Sequence, residues 1–496
     1  MSYALLSRRF HQLHHFAHLS AICGWDQATM MPEGGNDARG AALAELSLLM
    51  HERLTAPELA DWFAAAETEN LDPAQRASLK EMQRRYRQAS VLPGDLVQAK
   101  SLAGSRCEHA WRRQRQENDW SGFLANFQEV VALSREEAAI RAEATGGRPY
   151  DSLLDLYEPG MDCAQLDGLF AELQQWLPDL IRQVGERQAT ESVLQPQGPF
   201  ATAAQQDLGR QIMGLLGFDF SRGRQDVSAH PFCGGVPSDV RITTRFDEAD
   251  FTQSLMGIIH ETGHARYEQG LPAQWQGLPV GEARSMGIHE SQSLFFEMQL
   301  ARDPAFIALL PPLLEASFGP QPAFAPANLA RLYTRVAPGY IRVDADEVTY
   351  PAHIMLRYEI EKRLIEGDIQ ARDIPELWDL RMQQYLGLST AGNYRDGCLQ
   401  DIHWTDGSFG YFPSYTLGAL YAAQQAEALQ QQLGSFASLL SQPEGLGNLF
   451  AWLRQHIWQQ ASLLETDALI RQATGAPLSV APFRRHLQTR YLERQA

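Results

Sequence analysis

The sequence predicts a mainly α-helical protein with a small β-sheet, and three observations support this fold class. Apolar residues recur at three- and four-residue spacing through most of the 496 residues, which is typical of helices that bury one face. The segment 237–246 instead alternates and is rich in Val, Ile and Thr, as strands are. Apolar residues make up 44% of the chain, enough for a large core. We therefore expect one large helical body, with residues 1–496 in a single domain.

Segments with helical periodicity lie on both sides of that strand. They are residues 38–54, 122–144 and 166–188 in the first half, and residues 350–368, 415–436 and 448–464 in the last third. The Pro- and Gly-containing segment 191–200 predicts a loop.

A further helix is predicted directly after the strand. Asp247 or Asp250 can cap its start, because a short acidic side chain accepts hydrogen bonds from free backbone N–H groups. Gly270, followed by Leu271 and Pro272, ends it. We therefore expect the small sheet to lie beside this helix.

This helix contains the sequence HETGH, with His260, Glu261 and His264. Four residues are just over one helical turn, so both imidazoles project from one side and can share a metal ion. Glu261 is one step round the helix and can reach a water molecule on the metal, as in metal-assisted hydrolysis. Gly257 and Gly263 weaken a helix, and close backbone approach at a site would explain them. The alternative is a buried helix with hydrogen-bonded histidines.

A catalytic zinc ion needs a third protein ligand and an open position. Glu282, His289 and Glu290 are the downstream candidates. Glu282 lies in a Gly/Pro-rich connection, whereas Glu290 lies in a predicted helix with Ser285 near its cap, so the spacing favours Glu290 without excluding the others. Leu294 stands where some zinc peptidases have an acidic residue, which leaves open which groups orient the two histidines.

Four histidines near the N-terminus form two further pairs at the same spacing, His11 with His15 and His14 with His18. No carboxylate joins them, and two arginines are adjacent. We therefore interpret this segment as an amphipathic surface helix and not as a metal site.

Charge and composition restrict the partners. A net charge of −18 argues against nucleic acid. The five dispersed cysteines fit free thiols in a reducing compartment. No signal-peptide pattern and no run of 18 apolar residues is present. We therefore expect a soluble, cytoplasmic protein that does not bind membranes.

Several ordered motifs resemble those of the carboxypeptidase Taq family of HExxH metallocarboxypeptidases, nearly from end to end. The motifs are WDQATMMPEGG (25–35), HPF (230–232), DVRIT (239–243), HETGH (260–264), HESQ (289–292), IRVDAD (341–346) and GCLQDIHW (397–404). The resemblance implies a helical fold with a deep groove, usually as a homodimer, and a single metallocarboxypeptidase catalytic domain.

The same resemblance implies one Zn²⁺ per chain, or Co²⁺, bound by His260, His264 and Glu290. It also implies peptide substrates that lose single C-terminal amino acids with broad specificity.

Other residues are candidates for substrate binding. A free carboxylate is best recognised by the bidentate fork of arginine, which Arg342 or Arg241 can supply. His403 and Gln400 are expected to line the groove. We interpret Trp404 as a core residue.

Stabilisation of the attacked carbonyl needs a donor besides the metal. Tyr411 and Tyr415 are available, and related metallopeptidases favour Tyr411. In the expected mechanism Glu261 takes the proton of the attacking water and passes it to the leaving amine. An endopeptidase with the same chemistry, or a non-catalytic helical scaffold or peptide binder, are the alternatives.

Overall fold

The computed structural model of the chain describes residues 1–228 and 230–493, apart from the side chain of Glu33. It is mainly helical, as predicted. The helices before the sheet are α1 (Ser2–Thr29), α2 (Asn36–Leu54), α3 (Glu58–Ala66), α4 (Pro73–Ser90), α5 (Gly94–Gln116), α6 (Trp120–Thr145), α7 (Pro149–Leu154), α8 (Cys163–Gln188) and α9 (Thr202–Leu215).

The remaining helices follow the sheet. They are α10 (Phe251–Gly270), α11 (Met286–Leu294), α12 (Pro304–Ile307), α13 (Leu310–Phe318), α14 (Pro326–Tyr333), α15 (Tyr350–Glu366), α16 (Ile374–Leu386), α17 (Pro413–Leu433), α18 (Phe436–Leu440), α19 (Gly445–His456), α20 (Thr466–Thr474) and α21 (Ala481–Gln488). Two π-helical segments, Phe295–Ala301 and Thr489–Glu493, continue α11 and α21. Among the described residues, no helix is long and apolar enough to span a membrane.

The predicted strand is confirmed, and it is the central member of a small sheet. The strands are β1 (Gly223–Val227), β2 (Cys233–Val236) and β3 (Asp239–Thr244), in the order β1-β3-β2. β1 pairs with β3 in parallel, and β2 pairs with β3 antiparallel. Val240 and Ile242 of β3 pack with Ile258 and Ala265 of α10. The sheet therefore lies against the histidine helix, as expected.

α10 begins and ends where the sequence predicts. The Asp250 side chain accepts a hydrogen bond from the Thr252 N–H at 2.8 Å and caps the first turn. After Gly270 the chain becomes extended at Leu271. Buried residues occur on nearly all sides of this helix, which is typical of a central helix and not of a surface one.

One predicted helix is shorter than expected. The segment 448–464 leaves the helical path after His456, and a 3₁₀ turn, Trp458–Gln460, follows. Trp458 is fully buried against Gly270, and its indole N–H donates to the side chain of Gln292 at 2.8 Å. The indole therefore lies between Gly270 of α10 and Gln292 of α11, at the point where the chain has left the helical path.

Besides the cluster between the sheet and α10, the described residues form one large and one small hydrophobic cluster. A large one includes side chains from α5 to the final π-helical segment. A small separate one is formed by α1, α3 and α4, for example by Leu6, Phe63 and Met82. α2 buries none of its residues within this chain. The metal-motif helix thus lies in the large core, and the N-terminal histidines lie on the small one.

Candidate metal centre and groove

His260 and His264 project from one side of α10 toward Glu290 of α11. The Glu290 Oε2 atom lies 3.3 Å from His264 Nε2 and 3.9 Å from His260 Nε2. One potential ligand atom from each of the three residues falls within 4.8 Å of the others. This His-His-Glu donor set is the kind that holds a divalent ion in zinc hydrolases.

Glu290 occupies this position because α11 is held closely between two helices. A Cβ atom at Gly263 of α10 would lie 2.5 Å from the Gln292 carbonyl oxygen, and one at Gly418 of α17 would lie 2.6 Å from Glu290 Cγ. Only glycine allows such an approach. The predicted need for close approach thus applies to Gly263, whereas open space surrounds the position of a Cβ at Gly257.

The other two candidates for a third ligand have different contacts. Glu282 forms an ion pair with Arg85 of α4, at 3.0 Å from Nη1. His289 uses both ring nitrogens, with Nδ1 at 2.6 Å from His264 Nδ1 and Nε2 at 2.8 Å from Glu268. The geometry therefore favours Glu290.

The groups that orient the two histidines are visible as well. His260 Nδ1 lies 3.0 Å from Glu297 Oε2, and Arg302 donates to the other oxygen of Glu297 at 2.6 Å. His264 Nδ1 contacts His289. Both Nδ1 atoms are thus engaged, so both Nε2 atoms point to the common centre, and such contacts fix the ring orientation of metal-binding histidines.

Glu297 was missed by the sequence analysis. It lies seven residues after Glu290, inside the π-helical segment Phe295–Ala301. A π-helical turn has a wider hydrogen-bond ring than an α-helical one, so spacing rules for α-helices do not locate its side chains. The only available signal is an acidic residue in an otherwise apolar helical stretch.

Burial and charge in this centre favour a cation. Desolvation would lower the pKa of His260, yet the carboxylates of Glu290, Glu297 and Glu261 raise it. Burial raises the pKa of Glu261 to about 7, and its Oε2 atom has no hydrogen-bond partner among the described residues. Three carboxylates, two of them buried and Glu290 largely so, around two imidazoles fit a divalent ion, because buried charges require a partner or a metal.

A groove with a volume of about 1190 Å³ begins at this centre. Its described lining includes His260, Glu290 and, on another wall, Arg342, His403 and Tyr415. The groove is somewhat larger than most ligand pockets, which commonly span several hundred Å³.

Arg342 is buried in this wall, within a cluster of charges. Its Nε and Nη2 donate to Asp401 at 3.0 and 2.9 Å, and Nη1 donates to the Tyr350 hydroxyl at 2.6 Å. Arg357 pairs with the second oxygen of Asp401. Two arginines thus share one carboxylate, which leaves a net positive charge beside the groove. Asp401 and Arg357 are further residues that sequence reasoning missed.

Arg241, the other predicted arginine, lies in a different environment. Both arms of its guanidinium donate to Asp239 at 2.9 Å, and its Cζ atom lies 4.4 Å from the ring centre of Trp25. It is not part of the described lining of the groove. This contact attaches α1 to the sheet, so we interpret Trp25 as a structural residue.

Of the remaining candidates for substrate binding, His403 and Gln400 both line the groove but differ in their hydrogen bonds. His403 lines the groove with a buried Nδ1 that has no partner among the described residues. Gln400 also lines it, but its amide binds backbone groups, including the Arg342 N–H at 2.7 Å and the Tyr340 carbonyl at 2.9 Å. Gln400 therefore holds the Arg342 segment in place.

Two tyrosines lie close to these groups. Burial, and then the nearby Glu290 carboxylate, raises the pKa of Tyr411, whose ring centre lies 5.3 Å from that of His403. Tyr415 packs on the Arg342 guanidinium at 5.0 Å. Trp404 is buried and donates to Glu361 at 2.6 Å, consistent with a core residue.

Comparison with known proteins agrees with this geometry. A family model described as carboxypeptidase Taq (M32) metallopeptidase matches residues 5–491. The chain is 37% identical to thermostable carboxypeptidase 1 of Thermus thermophilus over 96% of both chains. Its fold is similar to that of metallocarboxypeptidase 1 of Trypanosoma cruzi, at 46% identity, a TM-score of 0.97 and 99% coverage of both chains. A Pyrococcus furiosus carboxypeptidase gives 31% identity and a TM-score of 0.94, also with 99% coverage of both.

Proposed function

Because this chain belongs to the carboxypeptidase Taq (M32) family and is a metallocarboxypeptidase, we propose that its metal is held by His260, His264 and Glu290. The observation that carries this assignment is the convergence of one donor atom from each residue within 4.8 Å. The His-His-Glu set favours Zn²⁺, one ion per chain, with Co²⁺ as a substitute. A divalent ion bound there would polarise the scissile carbonyl and lower the pKa of a water molecule.

We propose Glu261 as the general base. It is next to His260 on α10, and one of its carboxylate oxygens is buried without a hydrogen-bond partner among the described residues. In this role it accepts the proton of the attacking water and then donates it to the leaving amine. Tyr411 is proposed to donate a hydrogen bond to the oxygen of the attacked carbonyl, supported by the packing of its ring against His403, which lines the groove.

Arg342 is proposed to bind the terminal carboxylate of the peptide. Its support over Arg241 is that it lines the groove and shares Asp401 with Arg357, so positive charge remains for a substrate anion. His403 and Tyr415 are proposed to contact the peptide, and Gln400 to act through Arg342. The size of the groove supports a broad range of terminal side chains.

We also propose the oligomeric state, the cellular location and the domain organisation of the protein. The resemblance supports a homodimer, and the composition and free cysteines support a cytoplasmic location. A single family model that matches residues 5–491 supports one catalytic domain for residues 1–496.

The metal assignment is tested by removal and return of the ion. Chelation should abolish hydrolysis of a peptide substrate, and Zn²⁺ or Co²⁺ should restore it, with metal analysis giving one ion per chain. Full activity of protein that metal analysis shows to be metal-free would refute the proposed metal chemistry.

The carboxylate assignment is tested with paired substrates that differ only in a C-terminal amide. Loss of a charge-assisted hydrogen bond costs about 1.5–3 kcal/mol, so amidation should weaken kcat/KM by roughly ten- to a hundredfold. Arg342→Ala should cause much of this loss with the free acid and little further loss with the amide. Mass spectrometry should show single amino acids as first products. Internal fragments, with acid and amide cleaved equally fast, would indicate an endopeptidase.

A further inference from the structure

The π-helical segment that carries Glu297 is contacted by a distant part of the chain. Arg490, in the segment Thr489–Glu493, donates from Nη1 to the Met298 carbonyl and from Nη2 to the Gln299 carbonyl at 3.0 Å. Its side chain is 5% exposed. The guanidinium therefore binds two consecutive carbonyl groups directly after Glu297.

These carbonyls need an external donor. They belong to the last turn before the helix ends at Ala301, where backbone C=O groups have no partner within the helix. A planar guanidinium can bind two neighbouring oxygens at once, which an ammonium group does less well. The Arg490 guanidinium thus supplies the donors that the carbonyl groups at the end of this π-helical segment lack within the helix.

Arg490 is itself held in place by Glu347. The Glu347 Oε2 atom lies 3.1 Å from Arg490 Nη1 and accepts from the Tyr491 hydroxyl at 2.8 Å, while Oε1 contacts His486 at 2.5 Å. Burial alone would raise the pKa of Glu347, but His486 and Arg490 hold it well below its usual range. The guanidinium therefore has little freedom to leave the two carbonyls.

Glu297 connects this clamp to the metal centre. Its carboxylate spans His260 Nδ1 at 3.0 Å and Arg302 at 2.6 Å. Since Met298 is the next residue, any shift of the Met298 and Gln299 peptide groups moves the Glu297 side chain. A loose π-helical end would therefore change the orientation of the His260 ring.

We propose that Arg490 is a positioning residue for the metal centre, which fixes Glu297 and through it His260 by clamping the carbonyls of Met298 and Gln299. This role rests on the proposed function, since it requires His260 as a ligand. It predicts that the segment containing α21 determines metal affinity without touching the ion.

The test is a Zn²⁺ titration of the full chain against a competing chelator, with Arg490→Lys as the variant. Lysine keeps the charge opposite Glu347 but cannot bind both carbonyls as a fork. Groups that orient metal ligands typically account for 10–100-fold in affinity, so we expect about tenfold weaker Zn²⁺ binding. Arg485→Lys is the matched control, because Arg485 also forms a fork, with Glu427, but at an exposed site. It should bind Zn²⁺ like the wild type.

Two companion variants separate the possible failures. Glu297→Gln should weaken Zn²⁺ binding at least as much as Arg490→Lys, and His260→Ala should weaken it far more. Wild-type affinity in Arg490→Lys, with or without a lower melting temperature, together with weak binding in Glu297→Gln, would refute the clamp and leave the proposed function intact. Wild-type affinity in His260→Ala would instead refute the proposed ligand set.

A further variant decides the matter if Arg490→Lys does not fold. Glu347→Gln keeps the shape of the side chain and removes the charge that holds Arg490, so it should weaken Zn²⁺ binding in the same direction by a smaller factor. Unchanged affinity in folded Glu347→Gln would also overturn the proposal.

Discussion

α1 and α10 both carry histidines four residues apart, but only α10 surrounds them with carboxylates. On α10, His260 and His264 lie within 4 Å of Glu290. On α1, His18 Nε2 lies 3.8 Å from an Asp239 carboxylate oxygen, and about a third of each side chain is exposed. The spacing of imidazoles along one helix is therefore not enough to define a metal site, because the carboxylate must come from a second element.

The two helices also differ in their packing. α10 is buried in the large cluster, and glycines on two helices allow α11 to bring Glu290 into contact. α1 packs in the small cluster through Leu6, Phe10 and Leu13, which leaves its histidines at least partly exposed. Burial matters because it strengthens the interaction between ligand charges and an ion.

The largest effect that we expect is a loss of turnover when Glu261 of α10 is replaced. Glu261→Gln keeps the side-chain shape but cannot accept a proton, so turnover should fall by about 10³, within the range for loss of a general base. Zn²⁺ content, measured by metal analysis, should stay at the wild-type level. Lost metal together with normal turnover per bound ion would show that Glu261 is a structural or ligand residue.

A second substitution tests the Glu290 carboxylate, which lies within 4 Å of both histidines of the α10 pair. Glu290→Ala removes a proposed ligand, so Zn²⁺ affinity in a chelator competition should fall by more than about a hundredfold, beyond the effect of a residue that only orients a ligand. Glu282→Ala is the control, because Glu282 pairs with Arg85 at a partly exposed site. Equal affinity in wild type and Glu290→Ala would move the third ligand elsewhere.

A third prediction concerns Glu158, a buried carboxyl group that contacts the start of α11. Glu158, almost fully buried, accepts a hydrogen bond from the Gly287 N–H at the start of α11. Burial raises its pKa from 4.5 to about 7, so the folded protein binds this proton more tightly than the unfolded chain does. The resulting stabilisation is complete below pH 4.5 and is lost as the pH rises to 7, which amounts to about 3 kcal/mol.

Chemical denaturation of the metal-free protein at several pH values measures this effect. Between pH 4.5 and 7, the free energy of unfolding of the wild type should fall relative to that of Glu158→Gln, which has no ionisable group there. Parallel pH profiles for the two proteins would contradict a raised pKa of Glu158.

The smallest expected effect is on the α1 side of the comparison. A double substitution, His14→Ala with His18→Ala, should leave the Zn²⁺ stoichiometry, Zn²⁺ affinity and kcat/KM unchanged. A second ion in the wild type that disappears in this variant would show that α1 also binds metal.

The sequence was sufficient for the parts of the site that depend on local pattern. The cap at Asp250, the end of α10 at Gly270 and the strand before it follow from neighbouring residues. Glu290 could be favoured because it lies on a helix with a Ser285 cap, which the structure contains.

Contacts between distant segments could not be predicted in this way. Glu297 reaches His260 through a π-helical turn, and no α-helical spacing rule gives its direction. Asp401 pairs with both Arg342 and Arg357, and the three residues come from separate segments of the chain. Arg241 was a reasonable candidate by type, but its pairing with Asp239 depends on side-chain geometry that composition does not determine.

Gly418 has a consequence for how this enzyme can change over generations. Even the methyl group of alanine there would overlap the Glu290 side chain, so this position of α17, next to the metal centre, has no room for a larger residue. No residue of α2 is fully buried within this chain, so most of its positions have room for other side chains. In a library of random variants selected for activity, we expect substitutions to accumulate along α2 and to be absent at Gly418, so inherited diversity is confined to surfaces remote from the ion.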